Sequence, residues 1–384
     1  MSTDRKDWNI NTRLNHPKPV HMLKGNEPLI SPVYLSAKFS PSEDFPYWDQ
    51  YIYGRVANPT TRQLEITLAE LQNKEECIVV ASGIAAITGT FLALLKAGDH
   101  IITFRELYKP TRMFIRENLT RFNIESTVVA LKDIEKLESV IKTGKTKIIH
   151  FESPTNPTLE IADIKKIIDI AKKNKILVSM DGTFAGIHQH TQFDVDIMIH
   201  SLTKFGNGHG DVIAGSIAGK TSLIQEIRSM CINLGATLDP HASYLIQRGL
   251  KTYMLRYERQ TETAQKIAEF LEKHAKVKAV IYPGLQSHAS HALAKEQMRH
   301  MGATVAFEIN SSATKFCHKV KLIQFTASLG STESIICPTD LFFGTDLGQE
   351  EKKEMGINEN TLRLSVGLED PEDLINDLTQ ALEN

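Results

Sequence analysis

The stretch of this sequence with the most pointed chemistry is His200-Ser201-Leu202-Thr203-Lys204-Phe205, which runs on into Gly206-Asn207-Gly208-His209-Gly210. The largely apolar run Val195–Ile199 reads as a strand that delivers a lysine, with hydroxyl-bearing residues beside it, into a glycine-rich loop. A lysine set between apolar segments has a lowered pKa, which suits Schiff-base and proton-transfer chemistry. Ser201 and Thr203 are in place to hydrogen-bond a phosphate, and the pattern fits a lysine that carries pyridoxal 5'-phosphate (PLP). The other needs of that cofactor have candidates too. Its phosphate needs backbone donors at a helix start, and Ala81-Ser82-Gly83-Ile84 is a strand-to-helix turn with a glycine. Its pyridine nitrogen needs an acid that keeps it protonated, and Asp181 closes the strand-like run Ile176–Met180. Its ring face needs an aromatic, and Tyr108 follows the strand-like His100–Phe104. Taken singly, the turn is common in α/β proteins and Asp181 is an ordinary capping residue.

The elements that must position these residues alternate. Strands are expected at Cys77–Ala81, His100–Phe104, Ser126–Ala130, Lys147–Phe151, Ile176–Met180, Val195–Ile199 and Val212–Ala218. Helices are expected at Arg62–Lys74, Ile84–Lys96, Thr111–Arg121, Ile134–Lys142 and Asp163–Lys173. Alternation of this kind implies a mostly parallel α/β sheet, and continuous apolar runs such as Ile176-Leu177-Val178 suit strands buried on both faces. Ligands bind such sheets at the carboxyl ends of the strands, where Tyr108, Asp181 and Lys204 fall. Near residue 240 the pattern changes. A long helical stretch, Ser243–His274, leads to strands near Val277–Ile281 and Thr304–Ile309 and a last helix at Pro371–Leu382. The expected division is an N-terminal arm at 1–55, a large domain at 56–242 and a smaller α+β C-terminal domain at 243–384.

With these elements in order, the chain resembles the Cys/Met-metabolism PLP enzymes, which include cystathionine synthases and lyases, methionine γ-lyase and homoserine sulfhydrylases. The resemblance runs from about residue 30 to the C-terminus. It rests on Tyr51-Ile52-Tyr53-Gly54-Arg55-Val56-Ala57-Asn58-Pro59-Thr60, on Glu152-Ser153-Pro154-Thr155-Asn156-Pro157, on the Lys204 motif with Gly208-His209, on Arg248–Thr252, on Tyr282–Leu285, on Ser328–Ser334 and on Leu362–Glu369. It implies an aspartate-aminotransferase-like fold, fold type I. It also implies a set of roles. Lys204 would hold PLP covalently and move protons, Asp181 would pair with the ring nitrogen and Tyr108 would stack on the ring. Gly83, Ile84, Ser201 and Thr203 would bind the phosphate. Tyr53 and Arg55 would reach the phosphate of a neighbouring subunit through the arm, so a homo-oligomer, most simply a homotetramer, is implied. Arg363 would grip a substrate α-carboxylate, helped by Ser328 and Asn156. Tyr108 or Tyr53 would be the base for an incoming ammonium.

The departures narrow the reading. Gly182 stands where the family usually has asparagine. Tyr108-Lys109-Pro110-Thr111 and Tyr53-Gly54-Arg55 resemble the cystathionine β-lyase branch. Ala327, Ile52 and Met113 replace polar residues used by the γ-enzymes toward the distal end of cystathionine. The function implied is a carbon–sulfur lyase of transsulfuration and methionine biosynthesis, acting by α,β-elimination of L-cystathionine. The alternatives are γ-elimination or γ-replacement, as in cystathionine γ-lyase, cystathionine γ-synthase or methionine γ-lyase, and a noncatalytic PLP-fold protein.

Composition excludes other classes. The 384 residues carry 44 Lys and Arg against 46 Asp and Glu, a net charge of −2 with no electrostatic footprint for nucleic acid or an anionic membrane. With 41% hydrophobic and 23% charged residues, the chain reads as soluble and globular. The four cysteines form no CxxC pair and read as buried thiols of a reducing compartment. His288 and His291 have no third ligand nearby, so no metal is expected. Gly206–Gly210 lacks the lysine of a P-loop. Met1–Asn11 has no apolar core of a signal peptide, and Ile78–Leu95 is broken by Ser82-Gly83, so it is read as strand and helix rather than a membrane span. A cytoplasmic protein is expected.

Overall fold

The computed structural model describes residues 28–46 and 50–383, and Met1–Asn11 lies outside the described residues. The chain divides into two compact units, Met1–Val33 and Tyr34–Asn384. Of the first, residues 28–33 are described, with neither helix nor strand.

In the second unit, seven strands form the larger sheet: β1 Glu76–Val80, β2 His100–Phe104, β3 Glu125–Val129, β4 Thr146–Glu152, β5 Leu177–Asp181, β6 Ile197–Ser201 and β7 Gly215–Gly219. Their order is β1-β7-β6-β5-β4-β2-β3. β7 is antiparallel to both neighbours, and every other pairing is parallel. Ile148 packs with Phe91, Ile101 and Ile199 on one face, and Ile149 with Ile102, Val178 and Met180 on the other. Side chains alternate between faces along a strand. Both faces are covered here, which is why Ile148-Ile149 of β4 and Leu177-Val178 of β5 are apolar on consecutive residues.

The smaller sheet has β8 Val277–Ile281, β9 Thr304–Ile309, β10 Gln324–Phe325, β11 Ile335–Pro338 and β12 Thr361–Ser365, in the order β10-β11-β12-β9-β8. It is antiparallel except at β10 and β11. Phe307, Leu362 and Leu364 pack against Leu271 of helix Tyr253–Lys273 and Leu374 and Leu378 of helix Pro371–Glu383. The two sheets lie on either side of residue 242, which falls within helix Pro240–Leu250.

Three expectations need correction. The single helix expected at Thr111–Arg121 is an α-turn at Lys109–Met113, a π-turn at Phe114–Asn118 and a 3-10 turn at Leu119–Phe122, stopped by left-handed Asn123. Arginines on this segment bond to a distant loop, so tertiary contacts override local helical preference. The helix expected at Ile134–Lys142 is two 3-10 turns, with Asp133 off helical geometry. The stretch Ser243–His274 is two helices, because Thr252 leaves helical geometry between them. Helix Thr221–Asn233 and strands β10, β11 and β12 were not expected.

Candidate active site

β1, β4, β5 and β6 all point the same way, so Ser82-Gly83, Glu152, Asp181 and Ser201 leave one edge of the large sheet. A cavity of about 450 Å³ opens there, a volume suited to a small-molecule ligand. Gly83, Ile84, Tyr108, Asn156, Asp181, Ser201, Thr203, Lys204, Ser328 and Arg363 all line it. Of the residues singled out from the sequence for this site, Tyr53 and Arg55 do not. Tyr53 is exposed, and the Arg55 guanidinium lies 5.4 Å from the centre of its ring and donates to Ile232 O at 3.2 Å.

Lys204 stands one turn past the end of β6, and its Nζ donates to Ser328 Oγ at 2.8 Å. Burial, and secondarily the Arg363 guanidinium, push this amine down to about 8. At neutral pH a usable fraction is a neutral base. Ser328 has a φ of +123°, a conformation that costs an L-residue on the order of 1–3 kcal/mol. In that conformation one residue serves two groups, its hydroxyl turned to Lys204 and its carbonyl to Arg363 Nη2 at 2.7 Å.

Arg363 lies in β12 and is buried. Its Nη1 donates to Asn156 Oδ1 at 2.7 Å, and its guanidinium carbon lies 4.3 Å from the centre of the Phe343 ring. Its buried Nε has no hydrogen-bond partner, and no ion pair holds it among the described residues. A buried guanidinium with an unused donor is matched to an incoming carboxylate.

Asp181 Oδ1 accepts from Thr183 N at 2.9 Å and Thr183 Oγ1 at 2.5 Å, and that hydroxyl in turn accepts from Ser201 N at 2.8 Å. The ends of β5 and β6 are thereby locked together. Glu152 pairs in register with Asp181 and accepts from Tyr108 N at 2.5 Å. Burial, and then the charge of Asp181, push Glu152 well above the usual carboxylate range. Burial, followed by Glu152, also pushes the Tyr108 phenol up.

Helix Gly83–Leu94 starts at the cavity wall, and Ser82 caps it by accepting from Ala85 N at 3.1 Å. The first N–H groups of a helix have no intrahelical partner, so those of Gly83 and Ile84 are available to an anion. A Cβ on Gly83 would sit 2.8 Å from Ser201 Cβ. Only glycine lets the helix start approach the Ser201 hydroxyl this closely. Thr203 is less free, since its Oγ1 accepts from Ala214 N at 2.9 Å and donates to Ala214 O at 3.2 Å.

Thr183, Glu152 and Phe343 are among the lining residues that had no role assigned from the sequence. Thr183 was legible, because Asp-x-Thr after a strand signals a side-chain-to-backbone turn. Glu152 lay in a quoted motif, but its pairing with Asp181 needs the strand register. Phe343 gives no local signal, since it comes from a turn more than 130 residues downstream of Lys204. Ala327 lines the cavity, whereas Ile52 and Met113 do not. His288 Nδ1 accepts from Ser290 N, and His291 Nδ1 bonds to Pro283 O. Among the described residues no helix is long and apolar enough to cross a membrane.

The model of one protein family, the Cys/Met metabolism PLP-dependent enzymes, matches residues 21–383. The chain belongs to that family. It is 43% identical to cystathionine γ-synthase 1, chloroplastic, of Arabidopsis thaliana over 336 residues, which is 86% of this chain and 60% of that enzyme. The match thus spans less than two thirds of that relative's length. It is 37% identical to cystathionine β-lyase MetC of Bacillus subtilis (strain 168) over 98% of this chain and 97% of that one. A crystal structure from Campylobacter jejuni that contains N'-pyridoxyl-lysine-5'-monophosphate superposes with a TM-score of 0.88 at 30% identity, covering 95% of this chain and 97% of that one. The fold is that of the fold type I PLP enzymes, and PLP is the family's cofactor.

The residues present fit that group. Helix-start donors lie close to the Ser201 hydroxyl at the cavity, an acid braced by Thr183 lies at the end of β5, and a lysine amine with lowered pKa also lines the cavity.

Proposed function

We propose that the protein is a carbon–sulfur lyase that carries out α,β-elimination of L-cystathionine, giving homocysteine, pyruvate and ammonia. The observation that carries this reading is Lys204 Nζ, the one lysine amine lining the cavity among the described residues, held by Ser328 beside Arg363. α,β-Elimination asks the chain to remove one proton, from Cα, before sulfur leaves. Bound PLP supplies the electron sink for the charge left on Cα. Lys204 takes the Cα proton. Arg363 and Asn156 fix the substrate carboxylate and so aim Cα at that amine. Asp181 keeps a proton on the ring nitrogen, and Glu152 anchors the backbone of Tyr108, which stacks on the ring. Gly83, Ile84, Ser201 and Thr203 hold the phosphate. Tyr53 and Arg55 add to it from a neighbouring subunit of a homotetramer, with the arm, large and small domains divided as at 1–55, 56–242 and 243–384. The protein works in the cytoplasm.

A second reading, γ-elimination or γ-replacement, is favoured by the 43% identity to the Arabidopsis γ-synthase. It uses the same residues but needs a second proton, from Cβ. Incubation with L-cystathionine separates the two. Homocysteine with pyruvate supports the β-lyase; cysteine with 2-oxobutyrate overturns it in favour of γ-elimination. Absence of turnover with cystathionine, with L-methionine and with O-acylated homoserines leaves the noncatalytic reading.

A further inference from the structure

Arg112 does not line the cavity, but it bonds to the segments that present Tyr108 and Phe343, which do. It lies in the turn Lys109–Met113, directly after Tyr108. Its Nε donates to Asp346 Oδ2 at 3.1 Å and its Nη2 to Asp346 Oδ1 at 2.7 Å. Nη2 also donates to Phe343 O at 2.8 Å, and Nη1 to Leu107 O. The same guanidinium therefore ties the residue before Tyr108 to the turn that presents Phe343. Arg116 Nη1 adds a bond to Asp346 O at 3.2 Å, and Lys109 Nζ donates to Thr345 Oγ1. The Arg112–Asp346 pair is nearly buried, with 10% and 4% of the side chains exposed.

We propose that Arg112 is a positioning residue for the substrate carboxylate: by holding Phe343 O and Asp346, it sets the Phe343 ring on Arg363. A buried ion pair is weak evidence of stabilisation, because apolar replacements often serve as well. What this pair provides is a bidentate fork of fixed geometry between two segments about 230 residues apart in sequence. Phe343 is buried and covers one face of Arg363 at 4.3 Å. Its ring keeps water from the guanidinium and favours its charge. If the fork is lost, the Phe343 turn is free to shift, and a misplacement of about 1 Å is enough to cost about 10²-fold in a positioned interaction. The inference rests on reading Arg363 as the carboxylate clamp, and it is independent of which C–S bond is cleaved.

The test uses the PLP-loaded enzyme and two probes, L-alanine and L-alaninamide, which share an amine but differ in the carboxylate. Binding is followed through the visible absorbance of the bound cofactor, and hydrogen exchange is measured across residues 342–347. Arg112→Lys keeps the charge but loses the fork. It should weaken L-alanine binding by about tenfold or more, leave L-alaninamide binding unchanged and speed exchange across the turn. If Arg112→Lys fails to fold, Asp346→Asn and Phe343→Leu decide by the same readouts. Equal loss for both probes, or no loss for L-alanine, overturns the positioning role. Arg363→Gln is the control for the clamp: if it does not weaken L-alanine relative to L-alaninamide, the clamp reading itself is wrong.

Discussion

Glu152 and Asp181 stand side by side as register partners on β4 and β5, at the edge from which the cavity opens. Two carboxyls so close do not both ionise without cost. Thr183 donates twice to Asp181, which favours the charge there, while burial and that charge push Glu152 up. Burial pushes Asp181 up as well, and the two Thr183 donors temper that rise, so of the pair Glu152 is the carboxyl that holds a proton more readily. Glu152→Gln should retain activity to within about tenfold, because glutamine mimics the protonated acid and still accepts from Tyr108 N. Asp181→Asn should lose about 10²–10⁴-fold, the scale of a group that governs a proton in the reaction. The pair also sets a pH dependence. Above the ordinary glutamate value of 4.5 the unfolded chain releases a proton that folded Glu152 keeps. The folded state binds more protons in that window, so this group's contribution to stability falls as pH rises from 4.5 toward its raised value. Thermal unfolding of the PLP-free protein should show Glu152→Gln more stabilising at pH 8 than at pH 4; a gain independent of pH would assign the proton wrongly.

Lys204 makes a second pH statement. Its amine, pushed down to about 8, is mostly protonated below that pH and mostly a free base above it. Turnover at saturating substrate should therefore rise with pH through about 8. Arg363 is the second cause of the shift, so Arg363→Gln should move that rise to higher pH as well as raising KM. Lys204→Ala should lose about 10²–10⁴-fold in turnover. Borohydride reduction and peptide mapping of the unaltered enzyme should find the cofactor on Lys204, and a label on another lysine would refute the assignment.

Tyr53 and Arg55 lie away from the cavity of their own chain, and Tyr53, Val56 and Tyr51 are exposed. If they complete a neighbour's site, Arg55→Ala and Lys204→Ala should each be nearly inactive alone and recover activity when mixed. Random pairing into dimers leaves one intact site in half of them, or about a quarter of full activity. No recovery after co-refolding, or an active monomer by light scattering, would place the role of Arg55 within its own chain.

Much of the site was legible because it rides on local pattern. Asp181 and Lys204 follow apolar strands that end where the chain must turn, and parallel strands send those ends to one edge. Gly83 and Ser82 carry the signs of a strand-to-helix turn. The limits were equally physical. β12 holds a buried arginine, so Thr361–Ser365 does not read as an apolar strand, and only the family motif pointed to Arg363. Thr111–Arg121 carries helical spacing, but Arg112 and Arg116 reach a loop some 230 residues on, and no window of sequence contains that loop. Glu152 could not be paired with Asp181 until the register of β4 on β5 was known.

Gly182 shows a departure from the family absorbed by a neighbour. A Cβ at this position would lie 2.7 Å from His200 Cε1 and 3.3 Å from Met198 Sδ. The His200 ring, which is buried, occupies the space that an asparagine side chain at 182 would need. Asp181 and Thr183 keep their hydrogen bonds on either side, so the exchange alters packing and leaves the acid in place. Gly182→Asn should then destabilise the protein by about 1–3 kcal/mol through overpacking. His200→Ala should also destabilise it, because it opens a cavity. The double variant should be more stable than the sum of the two losses predicts, with a coupling of about 1 kcal/mol or more, since the new side chain fills the space the ring leaves. Denaturant unfolding of the four proteins closes the cycle. Additive losses would mean that His200 and residue 182 do not compete for the same space.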